Sequence, residues 1–409
     1  MPHLHTASVS VFVRSGSAHE SRRLNGIGHV VEHMVFKGTA QRSSHQINLD
    51  AERLGAEANA HTDKDHSAFH LRGLAGHAPQ FVAMLADLVQ QPTFPADELE
   101  RERQVLLQEV AEVEDDAMAT AYKLFDSACY GLHPLAQPVI GSRANIERFS
   151  RDELAAWVAQ QFTGANVLVA AAGGMDVDAV VRAAEQAFAG LVPGHPNTVA
   201  APAFVGGLRS RRVAGSSQTQ VVLGFPIASL VDDDPVAEVA AALLGEGMSS
   251  PLLTELRERR GLVYHAACAA DVLALGGQFV IEASVAPAKL DELLRALAAL
   301  IRAQADVTDP VDLERARNQL AVRRLRTQEQ PSRRLEDAAL DWFALGRVRS
   351  EAERAARLQA VTAEQVQALF QRLWAGPLAL AITGRVGPAA LDKARVALGR
   401  GAVLAPLAH

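Results

Sequence analysis

The amino-acid sequence predicts an α+β protein of two homologous domains, each a mainly antiparallel sheet packed with helices. The chain has 409 residues, which is more than one ordinary hydrophobic core accommodates. Apolar residues make up 49% of the chain, charged residues 21% and aromatic residues 5%, a composition that favours helices packed on sheets. The third observation is that the order of elements is repeated along the chain.

The repeat is clearest at the end of each half. ANVLVAAAGGMDVDAVVRAAEQAFAGL, from Ala165 to Leu191, reads as a strand, a glycine turn and an amphipathic helix, and GPLALAITGRVGPAALDKARVALGRG, from Gly376 to Gly401, has the same order. Both halves also open with an alternating strand that leads through a polar loop into a helix. We predict an N-terminal domain over residues 1–193, a Pro- and Gly-rich linker over 194–207 and a C-terminal domain over 208–409.

Charge and hydropathy argue against several classes of protein. The formal net charge of −7 argues against a nucleic-acid surface, and no apolar run reaches the roughly 18 residues that span a bilayer. Two cysteines, Cys129 and Cys268, cannot form a disulfide framework. The opening MPHLHTASVSVF lacks the pattern of a signal peptide, so the sequence as written predicts a cytoplasmic protein. A periplasmic location stays open if the true N-terminus is missing.

The stretch NGIGHVVEHMVFKGT carries the strongest chemical signal. Its apolar residues recur with helical spacing, and we predict a helix capped by Asn25 and ended by Gly38. On this helix His29, Glu32 and His33 share one face, because they stand at positions i, i+3 and i+4. Two imidazoles one turn apart form a chelating pair for a divalent transition metal, above all zinc. Glu32 is poorly placed as a third ligand and suits a base that takes a proton from water.

A third ligand is expected from the segment PTFPADELERERQVLLQEVAEVEDDAMA. A helix should begin after Thr93 to Pro95, and its inner stripe should hold Leu99, Glu102, Val105, Leu106, Glu109 and Val113. Glu102 and Glu109 lie two turns apart on that stripe. A buried carboxylate is costly unless it is paired or bound to a cation, so two on one stripe predict a cation nearby.

HVVEH followed by Glu109, 76 positions after His33, resembles the inverted zinc motif of the pitrilysin/insulinase metallopeptidases. These enzymes are called inverzincins, and they include the mitochondrial processing peptidases. The resemblance implies that His29, His33 and Glu109 are zinc ligands and that Glu32 is the general base. It implies that Glu102 orients a ligand histidine. The corresponding helix of the second half, VAEVAAALLGEG, lacks the motif, so one Zn²⁺ per chain is expected.

The resemblance extends along essentially the whole chain. GAEANAHTDKDHSAFH looks like the active-site edge strand of the family, in which Asn59 and Ala60 would hold substrate backbone. GEGMSSPLLTELRERRGLVYHAA looks like the signature of the second half, in which Arg257 and Tyr264 would contact substrate carbonyls. Relatives of this length close in pairs around a chamber, which implies a homodimer. The family usually has one more strand before the segment PHLHTASVSVFVRSGS, and Met1 falls after it.

We therefore expect a zinc-dependent endopeptidase that cleaves extended peptides or unfolded segments through zinc-activated water, with Glu32 as general base. Three alternatives stay open. The chain could be a non-catalytic or peptide-binding member of the fold, or the catalytic half of a heterodimer. It could also be a metal-dependent hydrolase of small molecules, although only the metal motif supports that interpretation.

Overall fold

The computed structural model describes residues 1–399 of the chain. Gly401, the last residue of the predicted repeat, and the predicted end of the C-terminal domain at residue 409 lie outside the described residues. The strands are β1 (Thr6–Val13), β2 (Glu57–Thr62), β3 (Ser67–Leu74), β4 (Val167–Gly173), β5 (Gly207–Arg212), β6 (Thr219–Ile227), β7 (Val263–Val272), β8 (Gly277–Val285) and β9 (Ala379–Gly384).

The α-helices are numbered in chain order. They are α1 (Ile27–Met34), α2 (Ser44–Arg53), α3 (Ala78–Gln90), α4 (Ala96–Asp115), α5 (Ala117–Tyr130), α6 (Arg143–Arg148), α7 (Arg151–Gln161), α8 (Val177–Phe188), α9 (Val236–Gly245), α10 (Pro251–Leu253), α11 (Leu290–Asp306), α12 (Pro310–Glu329), α13 (Pro331–Leu345), α14 (Glu351–Ala360), α15 (Ala363–Ala375) and α16 (Ala390–Ala397). A π-helical turn, Thr254–Arg259, continues α10.

The first sheet has the strand order β2-β3-β1-β4, and every neighbouring pair is antiparallel. One of its faces, which includes Val11 and Phe69, packs on α1 and α3 to form a core. On the opposite face, Phe12 and Ala68 pack against Leu335 of α13. Side chains alternate between the two faces of a strand, so this sheet is covered on both sides.

The second sheet has the strand order β5-β9-β6-β8-β7, in which the β5–β9 pair alone is parallel. Its core includes apolar residues of α9, α11 and α15. Helix α5 approaches β6 so closely that a Cβ on Gly224 would lie 2.4 Å from Cζ of Phe125. With mainly antiparallel sheets and helices packed on them in both halves, the α+β prediction is confirmed.

The internal repeat has a structural counterpart in each half. The strand and helix β4 and α8 correspond to β9 and α16, and β1 followed by α1 corresponds to β6 followed by α9. In the first sheet β4 neighbours β1, and in the second sheet β9 likewise neighbours β6. Strand β5, at the edge of the second sheet, has no counterpart among the described strands of the first sheet.

Two compact units are formed, and their segments alternate along the chain. One contains Met1–Ala111, Gln137–Ala200 and Arg326–Val348; the other contains Glu112–Ala136, Ala201–Leu325 and the described residues from Arg349 on. Helix α5, from the first half of the sequence, thus belongs to the second unit, and α13 to the first. This division by contact differs from the simple limits at 193 and 208, which stay a prediction of the domain boundaries.

Within residues 1–399, no helix combines the length and the apolar character that crossing a membrane requires. Cys129 and Cys268 are both free cysteines, and Cys129 is buried.

Candidate metal centre

Helix α1 begins with a buried carboxylate rather than with the predicted Asn25 cap. The N-cap residue is Gly26, whose φ of 98° lies in the left-handed region. Glu20, which is 1% exposed, accepts hydrogen bonds from the backbone N–H groups of Gly26 at 2.7 Å and Gly28 at 2.8 Å. Asn25 donates to Glu20 and to the carbonyl of Pro138, so the Asn25 prediction is wrong. Glu20 satisfies N–H groups that have no partner within the helix.

The other end of α1 also differs from the prediction. The α-helix ends at Met34, and a 3₁₀ turn from Val35 to Lys37 follows before Gly38. Gly38, with φ of 148°, therefore ends the turn and not α1 itself. Lys37, the last residue of this turn, contacts Glu102 of α4.

The two imidazoles lie side by side on the same face of α1. The ring centroids of His29 and His33 are 4.7 Å apart, with their planes at 76°. Burial, together with the neighbouring His33, lowers the pKa of His29 to about 4. His29 is therefore neutral at pH 7, which is the state in which an imidazole binds a metal. The buried Nδ1 of His29 has no hydrogen-bond partner among the described residues.

Glu109 brings a carboxylate to both imidazoles. Its Oε2 lies 3.7 Å from Nε2 of His29 and 3.8 Å from Nε2 of His33. Four tetrahedral ligands at zinc–ligand distances of about 2.0–2.1 Å are separated by about 3.3 Å, so a small contraction would close this triangle on one ion. The three groups are thus brought together, as the resemblance to the inverted zinc motif implies.

Helix α4 begins at Ala96, directly after the predicted start signal at Thr93 to Pro95. Its inner stripe contains Leu99, Glu102 and Leu106 as predicted. Val105, however, is 45% exposed, and Val110 is buried in its place, so the prediction for Val105 is wrong. The stripe follows the 3.6-residue period of the helix, in which residue 110 and not 105 continues the line from Leu106.

Glu102 contacts a candidate ligand from behind. Its Oε1 lies 2.8 Å from Nδ1 of His33, and its Oε2 lies 2.6 Å from Nζ of Lys37. Burial alone would raise the pKa of Glu102, but the bonds from Lys37 and His33 outweigh it and lower the pKa. An ionised Glu102 holds the proton of His33 on Nδ1 and leaves Nε2 open toward Glu109.

Glu32 stands beside the triangle on the same helix face. Its carboxyl is hydrogen-bonded to the side chain and the backbone of Thr62, the last residue of β2. Burial raises the pKa of Glu32, and the bonds to Thr62 partly oppose the increase. A carboxylate held in this way is suited to accept a proton.

Asn59 and Ala60 lie on β2, which is the edge strand of the first sheet. The backbone N–H of Ala60 donates to the side-chain oxygen of Asn59 at 2.8 Å. An edge strand leaves alternate backbone groups without a partner strand, and such an edge accepts an extended peptide. The predicted edge position of these two residues agrees with the sheet order.

Arg257 and Tyr264 are neighbours in the second unit. The guanidinium carbon of Arg257 lies 5.2 Å from the ring centroid of Tyr264, which is 84% exposed. Arg257 stands on the π-helical turn, and Tyr264 stands in an irregular stretch of the edge strand β7. π-Turns and irregular edge strands are frequent at functional sites. The pair is arranged to present a cation and a phenol to solvent together.

The donor set fits a zinc-class ion. It offers two imidazole nitrogens and one carboxylate, and the two imidazole side chains are largely buried. No sequence pattern indicates Glu20 or Thr62, because Glu20 lies in a loop and Thr62 at the end of an edge strand. Lys37 stands four residues after His33, so helical spacing could have identified it.

Comparisons with known proteins match both halves of the chain. Residues 1–143 match the family described as insulinase, peptidase family M16, and residues 148–320 match the family described as peptidase M16 inactive domain. A protein of Mycobacterium tuberculosis named an uncharacterized zinc protease is 30% identical over 399 residues, which cover 95% of this chain and 90% of the relative. A similarly named protein of Rickettsia bellii is 28% identical over 386 residues, 94% of this chain and 93% of that one.

Subunit beta of the mitochondrial-processing peptidase of Lentinula edodes is 32% identical over 250 residues, 61% of this chain and 51% of that one. Among solved structures, an M16 inactive-domain protein from Pseudomonas fluorescens superposes with a TM-score of 0.86 at 22% identity, covering 94% of each chain. Family models thus match both halves of the chain, and a solved structure of that family name has the same duplicated α+β fold. The chain belongs to peptidase family M16, the insulinase family, whose relatives named zinc proteases support a peptidase role.

Proposed function

We propose that the chain is a zinc-dependent endopeptidase that cleaves extended peptides or unfolded protein segments. The observation that carries this proposal is the convergence of His29, His33 and Glu109, with Glu32 beside them on the same helix face. His29, His33 and Glu109 would hold the ion. When bound, zinc supplies a Lewis acid that lowers the pKa of water toward neutrality and polarises a carbonyl.

Glu32 is the general base of this proposal. It takes a proton from the attacking water and delivers it to the leaving nitrogen as the peptide bond breaks. The contact with Thr62 fixes the carboxylate against β2, and the raised pKa favours return of the proton. One group thereby serves as base and then as acid, which removes the need for a second titratable residue at the site.

The substrate would bind as an added strand along β2. Asn59 and Ala60 stand on this edge, and Thr62 of the same strand contacts Glu32. Binding through main-chain hydrogen bonds selects an extended backbone over a particular side chain. Folded proteins, whose strands are already paired, would be poor substrates, whereas short peptides and unfolded segments would fit.

Arg257 and Tyr264 would complete the site of a second copy in a homodimer. A guanidinium and a phenol exposed side by side suit two carbonyl oxygens of a substrate backbone, and Tyr264 could donate to the developing oxyanion. One relative is named a subunit, which keeps a heterodimer with a separate partner as the second candidate assembly. The complete zinc motif and the Arg257–Tyr264 pair in one chain favour the homodimer.

The decisive experiment compares wild type with Glu32→Gln on a mixed peptide library, with bound zinc measured for both. Glu32→Gln should retain zinc and lose at least about 100-fold in cleavage rate, because the base is gone while the ligands remain. Glu52→Gln, an exposed glutamate on α2, is the matched control and should match wild type. An undiminished rate in Glu32→Gln would exclude Glu32 as base, and a wild type without zinc or cleavage would refute the peptidase proposal.

A further inference from the structure

A second group of metal-binding side chains lies on the other face of the first sheet. Nε2 of His61 is 3.2 Å from Nε2 of His66 and 3.7 Å from Oε1 of Glu336, and the three atoms all lie within 4.8 Å of one another. These separations bracket the spacing of about 3.3 Å expected between ligands of a tetrahedral zinc ion. Within residues 1–399 this is one of two such groups, the other being His29, His33 and Glu109.

Three separate elements bring the group together. His61 is on β2 and lies opposite Ala68 of β3, and His66 stands in the turn between the two strands. Glu336 is on α13, which packs on this face through Leu335 beside Ala68. Because side chains alternate across a strand, His61 points away from the face that carries α1. The group is therefore distinct from the first centre.

Hydrogen bonds behind the imidazoles direct both Nε2 atoms to one point. Nδ1 of His66 is 2.8 Å from a carboxylate oxygen of Asp65, which holds the proton of the ring on Nδ1. Nδ1 of His61 is 2.9 Å from Nε2 of His70, and Nδ1 of His70 is 2.8 Å from Oγ of Ser10. When Nδ1–H of His61 donates to His70 and Nδ1–H of His70 donates to Ser10, Nε2 of His61 keeps its lone pair. Carboxylate–histidine pairs of this kind are the usual support of a metal ligand.

Two lone pairs and a carboxylate directed at one point repel each other unless a cation or a shared proton lies between them. We propose that His61, His66 and Glu336 form a second site for a divalent transition-metal ion of the zinc class. The side chain of His66 is 2% exposed, whereas those of His61 and Glu336 are 35% and 33% exposed, so the ion has a route from solvent and a position for water. The expected stoichiometry rises from one metal per chain to two.

The second site would join α13 to the edge strand. Helix α13 comes from the second half of the sequence, and β2 is the strand proposed to receive substrate. A metal that links Glu336 to His61 would hold the helix on the sheet and limit movement of that strand. Metal binding at His61, His66 and Glu336 does not depend on the proposed peptidase activity.

The test is a zinc titration of the full-length chain after removal of metal with a chelator and dialysis. The background is His29→Asn with His33→Asn, which removes the first centre, so the readout does not involve catalysis. This double variant should bind one equivalent of zinc. Adding Glu336→Gln should weaken the binding more than about 10-fold, since a ligand matters at least as much as the groups that orient it. His45→Asn, which replaces an exposed histidine of α2, should change nothing.

Glu336→Gln is preferred to His66→Asn as the test variant. Glu336→Gln keeps the volume of a half-exposed side chain, so folding is not at risk, whereas His66→Asn changes a buried side chain. Wild type should bind two equivalents of zinc and the Glu336→Gln single variant one. Absence of stoichiometric binding in the double variant would overturn the proposal and would identify the group as a proton-sharing histidine pair. If adding Glu336→Gln to the double variant left its zinc affinity unchanged, the proposal would be overturned as well.

Discussion

Oε1 of Glu102 lies 2.8 Å from Nδ1 of His33, on the side of the ring opposite Glu109. This contact fixes both the orientation and the tautomer of His33, whereas Nδ1 of His29 has no such partner among the described residues. The two imidazoles of the candidate centre are therefore supported unequally.

The first prediction concerns Glu102. Glu102→Gln removes the charge that holds the proton of His33 on Nδ1 and leaves Lys37 without its carboxylate partner. Zinc affinity at the first centre should fall by about 10- to 100-fold, although every ligand remains. Competition with a chromophoric chelator measures this fall. Glu114→Gln, an exposed residue of α4, is the control, and equal affinities for the two variants would contradict the role of Glu102.

A second prediction concerns the pH dependence of stability, through Glu20. Burial raises the pKa of Glu20 to about 7 from an ordinary value of 4.5, against the bonds from Gly26 and Gly28. The folded chain is therefore more stable with Glu20 protonated than with Glu20 ionised. This contribution to the free energy of unfolding is fully present below pH 4.5, where both folded and unfolded chains carry the proton, and it is lost as pH rises through 7. The free energy of unfolding of wild type should fall by about 3 kcal/mol relative to Glu20→Gln over this range.

Urea unfolding of the two proteins between pH 4 and pH 8, with chelator present to remove metal, measures the difference. Other titrating groups are common to both proteins and cancel in the comparison. The N–H donors of Asn25, Gly26 and Gly28 could instead stabilise the ionised form of Glu20 more than burial disfavours it. The free energy of unfolding of wild type would then rise relative to that of Glu20→Gln as pH rises. That trend would contradict the prediction.

A third prediction concerns two glycines that touch beneath the start of α1. Gly26 has φ of 98° and Gly141 has φ of 80°, and a Cβ on Gly141 would lie 2.5 Å from Cα of Gly26. Gly141→Ala should lower the free energy of unfolding by about 1–3 kcal/mol or more and displace α1, so that zinc content falls too. Thermal unfolding and metal analysis measure both effects.

The matched control for this substitution is Gly76→Ala. A Cβ at Gly76 meets nothing within 4 Å, and its φ is outside the left-handed region. It should leave stability and zinc content unchanged. If Gly141→Ala behaved like Gly76→Ala, close packing at the start of α1 would not be what positions the first centre.

The fourth prediction tests the shared site of the proposed homodimer. Glu32→Gln chains and Arg257→Ala chains should each be inactive alone. After co-expression in equal amounts, half of the dimers are mixed and each mixed dimer has one complete site, so about a quarter of wild-type activity should return. Peptide cleavage by the purified mixture measures this recovery.

Glu32→Gln chains mixed with Glu109→Gln chains provide the control, because one chain then lacks the base and the other lacks a zinc ligand, so no N-terminal site of a mixed dimer is complete. That mixture should stay inactive. If the first mixture also stays inactive, Arg257 does not act across a dimer interface and the shared-site proposal fails.

Much of the fold could be predicted from the sequence because it rests on local periodicity. The positions of α1 and α4 follow from the spacing of residues on two amphipathic helices, and the meeting of His29, His33 and Glu109 is implied by the resemblance to the inverted zinc motif. The caps were harder to predict. Asn25 has the chemistry of an N-cap, yet Glu20, six residues before Gly26, accepts the N–H bonds at the start of α1 instead.

The exchange of α5 and α13 between the compact units could not be predicted either. An amphipathic helix shows that it packs on something, but its sequence does not show on which sheet. The group of His61, His66 and Glu336 depends on this exchange, since Glu336 is brought to β2 only by the packing of α13. A sequence motif could not have indicated it, because one ligand lies on a strand, one lies in the turn that follows, and the third comes from a helix about 270 residues later.

The central claim is that His29, His33 and Glu109 hold one zinc ion. A crystal structure of the full-length chain, with diffraction data collected on both sides of the zinc absorption edge, tests it most directly. We expect an anomalous difference peak about 2.0–2.2 Å from Nε2 of His29, Nε2 of His33 and a carboxylate oxygen of Glu109. An ordered and zinc-saturated crystal without a peak between these three side chains would contradict the account.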